Sequence, residues 1–188
     1  ELVDAGRLGR KTGQGFYRYA EGVERPQPAE LHSSACAEAC AVEGNLGVMQ
    51  PLVERLRQSG IAVTQRAGSG LIQVGDATLA LSDGRLASQR AREDGLRNLV
   101  LLDLALDYSS ATRLAISWSA DTTDSARDQA VALLQRAGLK VTGVADLPGL
   151  VVLRTVAMLA NEAADAVLQG VGSAADIDLA MRAGVNYP

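Results

Sequence analysis

The sequence has little of what a metal centre, a disulfide framework or a histidine-based active site requires. Its 188 residues hold one histidine and two cysteines, too few for a stapled secreted fold or a four-ligand zinc site. Charge of one sign is scarce as well. The net charge is −4 and no basic stripe runs along any segment, so nothing in the composition favours nucleic acid. Apolar runs stay short of the roughly 18 residues of a spanning helix, and no signal-peptide pattern opens the chain. These absences predict a cytoplasmic protein with no membrane or nucleic-acid partner. What is present is ordinary globular material, 47% hydrophobic and 21% charged, enough for one domain or slightly more and too apolar for disorder. The chain starts at Glu1 rather than a methionine and stops at Val185-Asn186-Tyr187-Pro188 with no polar tail. That reads as a piece of something longer.

Residues 1–28 carry four glycines within ten residues, Gly6, Gly9, Gly13 and Gly15, followed by Phe16, Tyr17 and Tyr19 and a linker rich in Glu, Pro and Gln. Such glycine density excludes a stable helix. The stretch is expected to be a connecting arm pinned to a neighbouring surface by its aromatics. A phosphate-gripping loop is the alternative, but no strand precedes the glycines and no helix follows closely.

From Ala39 the pattern alternates between strand and helix. Cys40-Ala41-Val42 suits a buried strand, Gly44-Asn45-Leu46-Gly47 a turn, and residues 46–59 a helix with Leu52, Val53 and Leu56 on one face. Pro51 falls near that helix's first turn and Gly60 is a natural C-cap. Ile61 to Thr64 follows as a strand, and Leu71–Val74 with Thr78–Leu81 reads as a hairpin or a bent strand pair. Leu99 to Leu106 is expected to be one strand interrupted by Asp103, and Leu114 to Trp118 another. Asp124 is placed to cap a helix that ends at Gly138, before a strand at 141–144. Arg57-Gln58-Ser59-Gly60-Ile61-Ala62-Val63-Thr64 and Gln135-Arg136-Ala137-Gly138-Leu139-Lys140-Val141-Thr142 repeat the same helix–glycine–strand phrase, which predicts a parallel-sheet α/β layer. After Pro148 one long helix is expected to Gly170, then a second at 173–183 with Ser173 as N-cap and Asp176 at its third position. This helical tail is too small to bury both of its faces alone.

Five segments together resemble the 3-hydroxyacyl-CoA dehydrogenase family. Gly6-Arg7-Leu8-Gly9-Arg10-Lys11-Thr12-Gly13-Gln14-Gly15-Phe16-Tyr17 is similar to the close of that family's helical C-terminal domain. Asp146-Leu147-Pro148-Gly149-Leu150-Val151-Val152-Leu153-Arg154 is similar to the junction where such a domain begins. Asn161-Glu162-Ala163, Gly170-Val171-Gly172-Ser173 and Asp176-Ile177-Asp178-Leu179-Ala180-Met181 continue the pattern in order. The order, with the end of one helical domain first, an α/β insert next and the start of another helical domain last, resembles the long bacterial 3-hydroxybutyryl-CoA and 3-hydroxyadipyl-CoA dehydrogenases. Leu101 to Tyr108 fits their reduced Rossmann-like domain. The resemblance implies an α/β fold: the end of a preceding helical domain with its linker over 1–28, a reduced Rossmann-like domain over 29–146, and the truncated start of an all-helical dehydrogenase domain over 147–188.

For the parent protein the resemblance implies hydride transfer between a 3-hydroxyacyl-CoA and NAD, with the NAD-binding and first helical domains of the same chain as partners and a homo-oligomer as the assembly. The family's catalytic histidine lies in a His-Phe-Phe-Asn-Pro-like segment that this sequence lacks. The lone His32 sits in a polar linker stretch, so no catalytic residue is assigned. No NAD site is assigned either, because Gly44 and Gly47 fill only two of the three glycine places of a dinucleotide loop. Where an acidic ribose ligand is expected the chain reads Val63-Thr64-Gln65-Arg66. Leu153 stands where the family has an asparagine lining the substrate site, and a leucine donates no hydrogen bond. Arg154 and Asn161 remain as substrate-lining candidates by the same resemblance.

Other candidates come from residue spacing. His32, Cys36 and Cys40 would share one face of a helix, but lack a fourth metal ligand. Asp103 and Asp107 are either an acid pair on one strand face or sheet-edge and turn residues. Ser117, Ser119 and Asp121 flank Trp118 at the C-terminal end of a strand, where α/β proteins bind ligands. Arg85, Arg90, Arg92 and Arg97 form either a phosphate grip or a solvated helix face. The resemblance therefore implies a fragment that is inactive alone and serves as a scaffold imitating a dimer partner. An acyl-CoA or nucleotide-binding module is the alternative.

Overall fold

The computed structural model describes residues 1–19, 21–24 and 26–185. Its centre is one sheet of seven strands: β1 (Ala39–Glu43), β2 (Ala62–Arg66), β3 (Leu71–Val74), β4 (Ala77–Leu81), β5 (Leu99–Leu102), β6 (Arg113–Trp118) and β7 (Lys140–Gly143). The helices are α1 (Gln50–Gln58), α2 (Ala87–Asp94), α3 (Asp124–Arg136), α4 (Val152–Leu168) and α5 (Ala174–Val185). In space the strands run β2-β1-β3-β4-β5-β6-β7.

The sheet is mixed, which corrects the expected parallel layer. β1–β2, β4–β5 and β6–β7 pair parallel, and each pair is bridged by one helix. The pairs β1–β3, β3–β4 and β5–β6 are antiparallel. Right-handed crossovers decide where the helices lie. The step from β1 to β2 goes the opposite way along the sheet from β4 to β5, so α1 and α2 cover opposite faces. β6 to β7 steps in the same sense as β4 to β5 but with strand direction reversed, so α3 returns to the face of α1. The core divides accordingly. Leu52, Leu56, Leu133, Leu134, Ile72, Leu79, Val100 and Ile116 fill the α1–α3 side. Ala87, Ala91, Leu99, Leu101 and Leu150 fill the α2 side.

Alternation along β5 explains its continuous apolar run: Val100 and Leu102 face one cluster while Leu99 and Leu101 face the other. The strand ends at Leu102 rather than Leu106, because Asp103 turns its carboxylate to the start of α4 and Leu106 stands 85% exposed. The repeated helix–glycine–strand phrase falls at α1–β2 and α3–β7, the two edges of the sheet. There the helix ends cap each other. Arg55 donates to the carbonyl of Ala137, and Arg136 to that of Ser59. The open side of β7 is met by the arm, where Leu31 N–H donates to Val141 O and Gln135 holds the Leu31 carbonyl, each at 2.8 Å.

Two helix boundaries also differ from expectation. Thr123, not Asp124, caps α3, its hydroxyl accepting from Ala126 N–H, while Asp124 sits in the first turn. α4 begins at Val152 rather than Pro148, because Gly149 and Leu150 take positive φ of 69° and 47° and form a turn. The capping of α5 is as expected: Ser173 Oγ accepts from Asp176 N–H, and the Asp176 carboxylate accepts from Ser173 N–H, a reciprocal box.

Candidate functional site

α4 has two faces. Val152, Val156, Leu159, Ala163 and Val167 recur along one, and Leu153, Arg154, Ala157, Met158 and Asn161 along the other. The second face borders a groove of about 530 Å³ whose far wall is Asp83 and Gly84, after β4, and whose end is Pro148 and Gly149. Arg154 and Asn161, singled out by the resemblance, lie in this groove together, with Glu162 beside them. Among the described residues neither side chain has a hydrogen-bond or ion-pair partner. The groove thus presents a guanidinium, an amide and a carboxylate over an apolar floor of Leu153, Ala157 and Met158. That set can orient an anionic or amide-bearing group.

The opposite wall carries little free charge. Arg85 forks onto Asp83, Glu93 and Asp94 at 2.7–2.9 Å, and Arg90 reaches Asp94 and the Leu81 carbonyl. Partial burial pushes the Asp83 carboxyl up, but the Arg85 hydrogen bonds and the Arg90 charge outweigh it and hold the group below its usual range. Two of the four arginines weighed as a phosphate grip are therefore committed to intrachain pairs on α2 and its approach.

The vestigial dinucleotide loop has the right place but not the right donors. Gly44 takes φ 69°, and a Cβ there would lie 2.1 Å from the Gly68 carbonyl oxygen, so the 67–70 turn sits directly on the loop. The loop's N–H groups point inward. Gly44 donates to Arg66 O, Leu46 to the Gln50 side chain, and Gly47 to the Asn45 side chain at 2.7 Å. A pyrophosphate needs those donors free and the backbone open to close approach. These residues do not fit one.

The remaining candidates separate. His32 and Cys36 are exposed in the arm and Cys40 is buried in β1, so no helix presents the three together. Among the described residues no cluster of His, Cys, Asp and Glu could hold a metal ion. Asp103 and Asp107 do not form an acid pair. Asp107 is exposed in a turn, where the hydroxyls of Ser109 and Ser110 hold its carboxyl down to about 2. Ser117 and Ser119 are fully buried, and Trp118 is capped by the Arg127 guanidinium 5.4 Å from its ring centre. β6 runs antiparallel to β5. Its C-terminal end therefore lies away from the ends of β4 and β5, and the groove is not lined by these residues. In the glycine-rich arm Thr12 ties the turn together, Phe16 is 85% exposed, and Tyr19 lies under the arm's own Arg10 guanidinium, 5.8 Å from its ring centre.

Sequence reading missed the roles of Asp103 and Asp146. The available signal was the absence of a local cap: α2 and α4 start after Leu86 and Val151, whose side chains accept nothing. Each helix takes its cap from a distant aspartate instead. Asp146 accepts from Ala87 and Ser88 N–H, and Asp103 from Val151, Val152 and Leu153 N–H.

Fold and groove together define a mixed α/β layer joined to a helical segment that borders the groove. Two consecutive stretches of the chain match domain models of the 3-hydroxyacyl-CoA dehydrogenases. Residues 79–148 match the 3-hydroxybutyryl-CoA dehydrogenase reduced Rossmann-fold domain, and residues 149–188 match the 3-hydroxyacyl-CoA dehydrogenase C-terminal domain. The chain is 34% identical over all 188 residues to the 3-hydroxyadipyl-CoA dehydrogenase of Escherichia coli (strain K12), of which it spans about a third, 34%. It also resembles the crystal structure of 3-hydroxybutyryl-CoA dehydrogenase from Escherichia coli K12, with TM-score 0.73 and 32% identity over 100% of this chain and 34% of that one. A more distant fold match is an NAD+-dependent dismutase, FHMPC 5-dehydrogenase, with TM-score 0.61 and 18% identity over 80% of this chain and 72% of that one.

Proposed function

We propose that this chain is the C-terminal part of a cytoplasmic, homo-oligomeric, NAD-dependent 3-hydroxyacyl-CoA dehydrogenase, and that it works as a scaffold rather than as a second catalytic centre. In that reading the whole protein oxidises 3-hydroxyacyl-CoA to 3-oxoacyl-CoA in fatty-acid or aromatic-acid degradation. NAD is bound, and the reacting base supplied, by domains preceding this one. The helical segment takes the position that a second subunit's helical domain holds in a dimer. One observation carries the reading: no side chain of α4 is buried, although Val152, Val156, Met158, Val167 and Leu168 are large apolar residues left exposed on it. A helix of that kind is stable through tertiary packing, and the α/β layer does not provide it. The occupied loop at Gly44–Gly47 supports the absence of a dinucleotide here.

Calorimetric titration of this chain with NADH and with acetoacetyl-CoA is expected to be silent for both. Deleting residues 30–188 from the full-length enzyme is expected to abolish turnover. Undiminished turnover after that deletion would end the scaffold reading.

The unpaired Arg154 and Asn161 in the groove favour a second reading, a module that binds an acyl-CoA or an adenine nucleotide. Micromolar heat with either titrant, lost in Arg154→Ala, would put that module in the scaffold's place.

A further inference from the structure

We propose that the passage from the α/β layer into the helical segment is a rigid coupling, and that Asp103 is the residue that positions α4. In sequence the passage, Leu147-Pro148-Gly149-Leu150, looks like a hinge. The structure fixes it at three points. Asp146 closes on the first turn of α2 through Ala87 N–H at 2.6 Å and Ser88 N–H at 3.0 Å. Leu150, held in the left-handed region at φ 47°, drives its side chain into the α2-side core and is 3% exposed. Asp103, 1% exposed at the end of β5, receives the first turn of α4. Its Oδ2 accepts from Val151 and Val152 at 3.0 and 2.8 Å, and its Oδ1 from Leu153 at 3.2 Å and from its own neighbour Leu104 at 2.8 Å.

Asp103 is itself anchored on both sides of its backbone. Its N–H donates to Ala115 O, and its carbonyl accepts from the buried Tyr108 hydroxyl at 2.6 Å. No cationic side chain pairs with its carboxylate among the described residues, so the buried charge is met by backbone N–H groups and by the positive end of a 17-residue helix. α4 cannot pivot without stripping that buried carboxylate of three of its four N–H donors, which is a costly change. This gives the reduced α/β layer a task that needs no ligand: it sets the direction in which α4 leaves the sheet, and with it the Arg154–Asn161 groove and the apolar face beyond. The inference takes its purpose from the scaffold reading and its geometry from this chain alone.

Amide exchange and residual dipolar couplings of the whole 188-residue chain in solution test it. The first-turn amides of a helix have no intrahelical acceptor and ordinarily exchange fast. Here Val151, Val152 and Leu153 are expected to exchange as slowly as Leu99–Leu102, and the couplings of α4 to fit the same alignment as the sheet. In Asp103→Asn, exchange at the three amides is expected to rise roughly tenfold to a hundredfold, with α4 couplings shrinking while those of β4 and β5 hold. A structural cap alone would speed the amides and leave the couplings in place, and that outcome would overturn the positioning role. Rapid exchange at 151–153 in the unsubstituted chain would overturn the proposal outright, whether or not Asp103→Asn folds. Neither result bears on whether the chain binds a helical partner, so the coupling and the scaffold reading can fail separately.

Discussion

At the scale of single residues, burial and local donors separate groups that look alike in sequence. Asp103 and Asp107 are four apart, yet one is sealed under a helix and the other sits in a serine-lined turn. Asp107 is expected to titrate near 2, because the Ser109 and Ser110 hydroxyls and the Ser109 N–H all favour its charged form. Its folded value lies below the ordinary value of about 3.9. Its contribution to the turn is therefore complete above that ordinary value and lost as pH falls through about 2. A carbon-detected carboxyl titration checks this, and Ser109→Ala should move the midpoint up. The two cysteines diverge in the same way. Burial pushes the Cys40 thiol up, with only the Arg57 charge opposing, while Cys36 is exposed. Ellman's reagent is expected to react with one thiol in the native chain and with a second only after denaturation. Two prompt equivalents would contradict the burial of β1.

At the scale of elements, helix ends decide boundaries. Removing the Thr123 hydroxyl in Thr123→Ala is expected to cost about 1 kcal/mol, because an orphan N–H at the start of α3 loses its acceptor. Asp124→Ala removes a charge near the helix N-terminus together with an exposed ion pair to Arg127, and is expected to cost about half a kcal/mol. Urea midpoints of the two variants measure the difference, and equal midpoints would return the cap to Asp124. The contrast shows what was legible in the sequence. β1, the β3–β4 hairpin, β6, α3 and the reciprocal box at Ser173 and Asp176 rest on local patterns, and local patterns are readable. The antiparallel pairings were not, because the repeated helix–glycine–strand phrase reports each parallel pair but says nothing of how the pairs join. The starts of α2 and α4 were not readable either, since their caps come from 59 and 48 residues away. The groove residues Arg154 and Asn161 were reached through the family pattern. Spacing alone pointed to Trp118, which lies away from the groove.

At the scale of the whole molecule, what matters is what covers α4. Among the described residues the α/β layer hydrogen-bonds α4 at its first turn, and α5 packs along part of its length, leaving Val152, Val156 and Val167 on one stripe, each about 40% exposed. In water such a stripe is satisfied by a partner or by a second copy of the chain. The isolated chain is accordingly expected to self-associate at high concentration, through this stripe or by exchange of the α4–α5 hairpin. Val156→Glu with Val167→Glu places two charges on the stripe without touching the groove or the Asp103 cap. That variant is expected to sediment as a monomer with unchanged amide protection in β4 and β5. If the unsubstituted chain is already monomeric by light scattering at high concentration, α4 and α5 satisfy each other, and the argument for a missing helical partner loses its main support. If it associates and the double variant does not, the stripe is the surface that a helical partner must meet, and its direction is the one Asp103 sets.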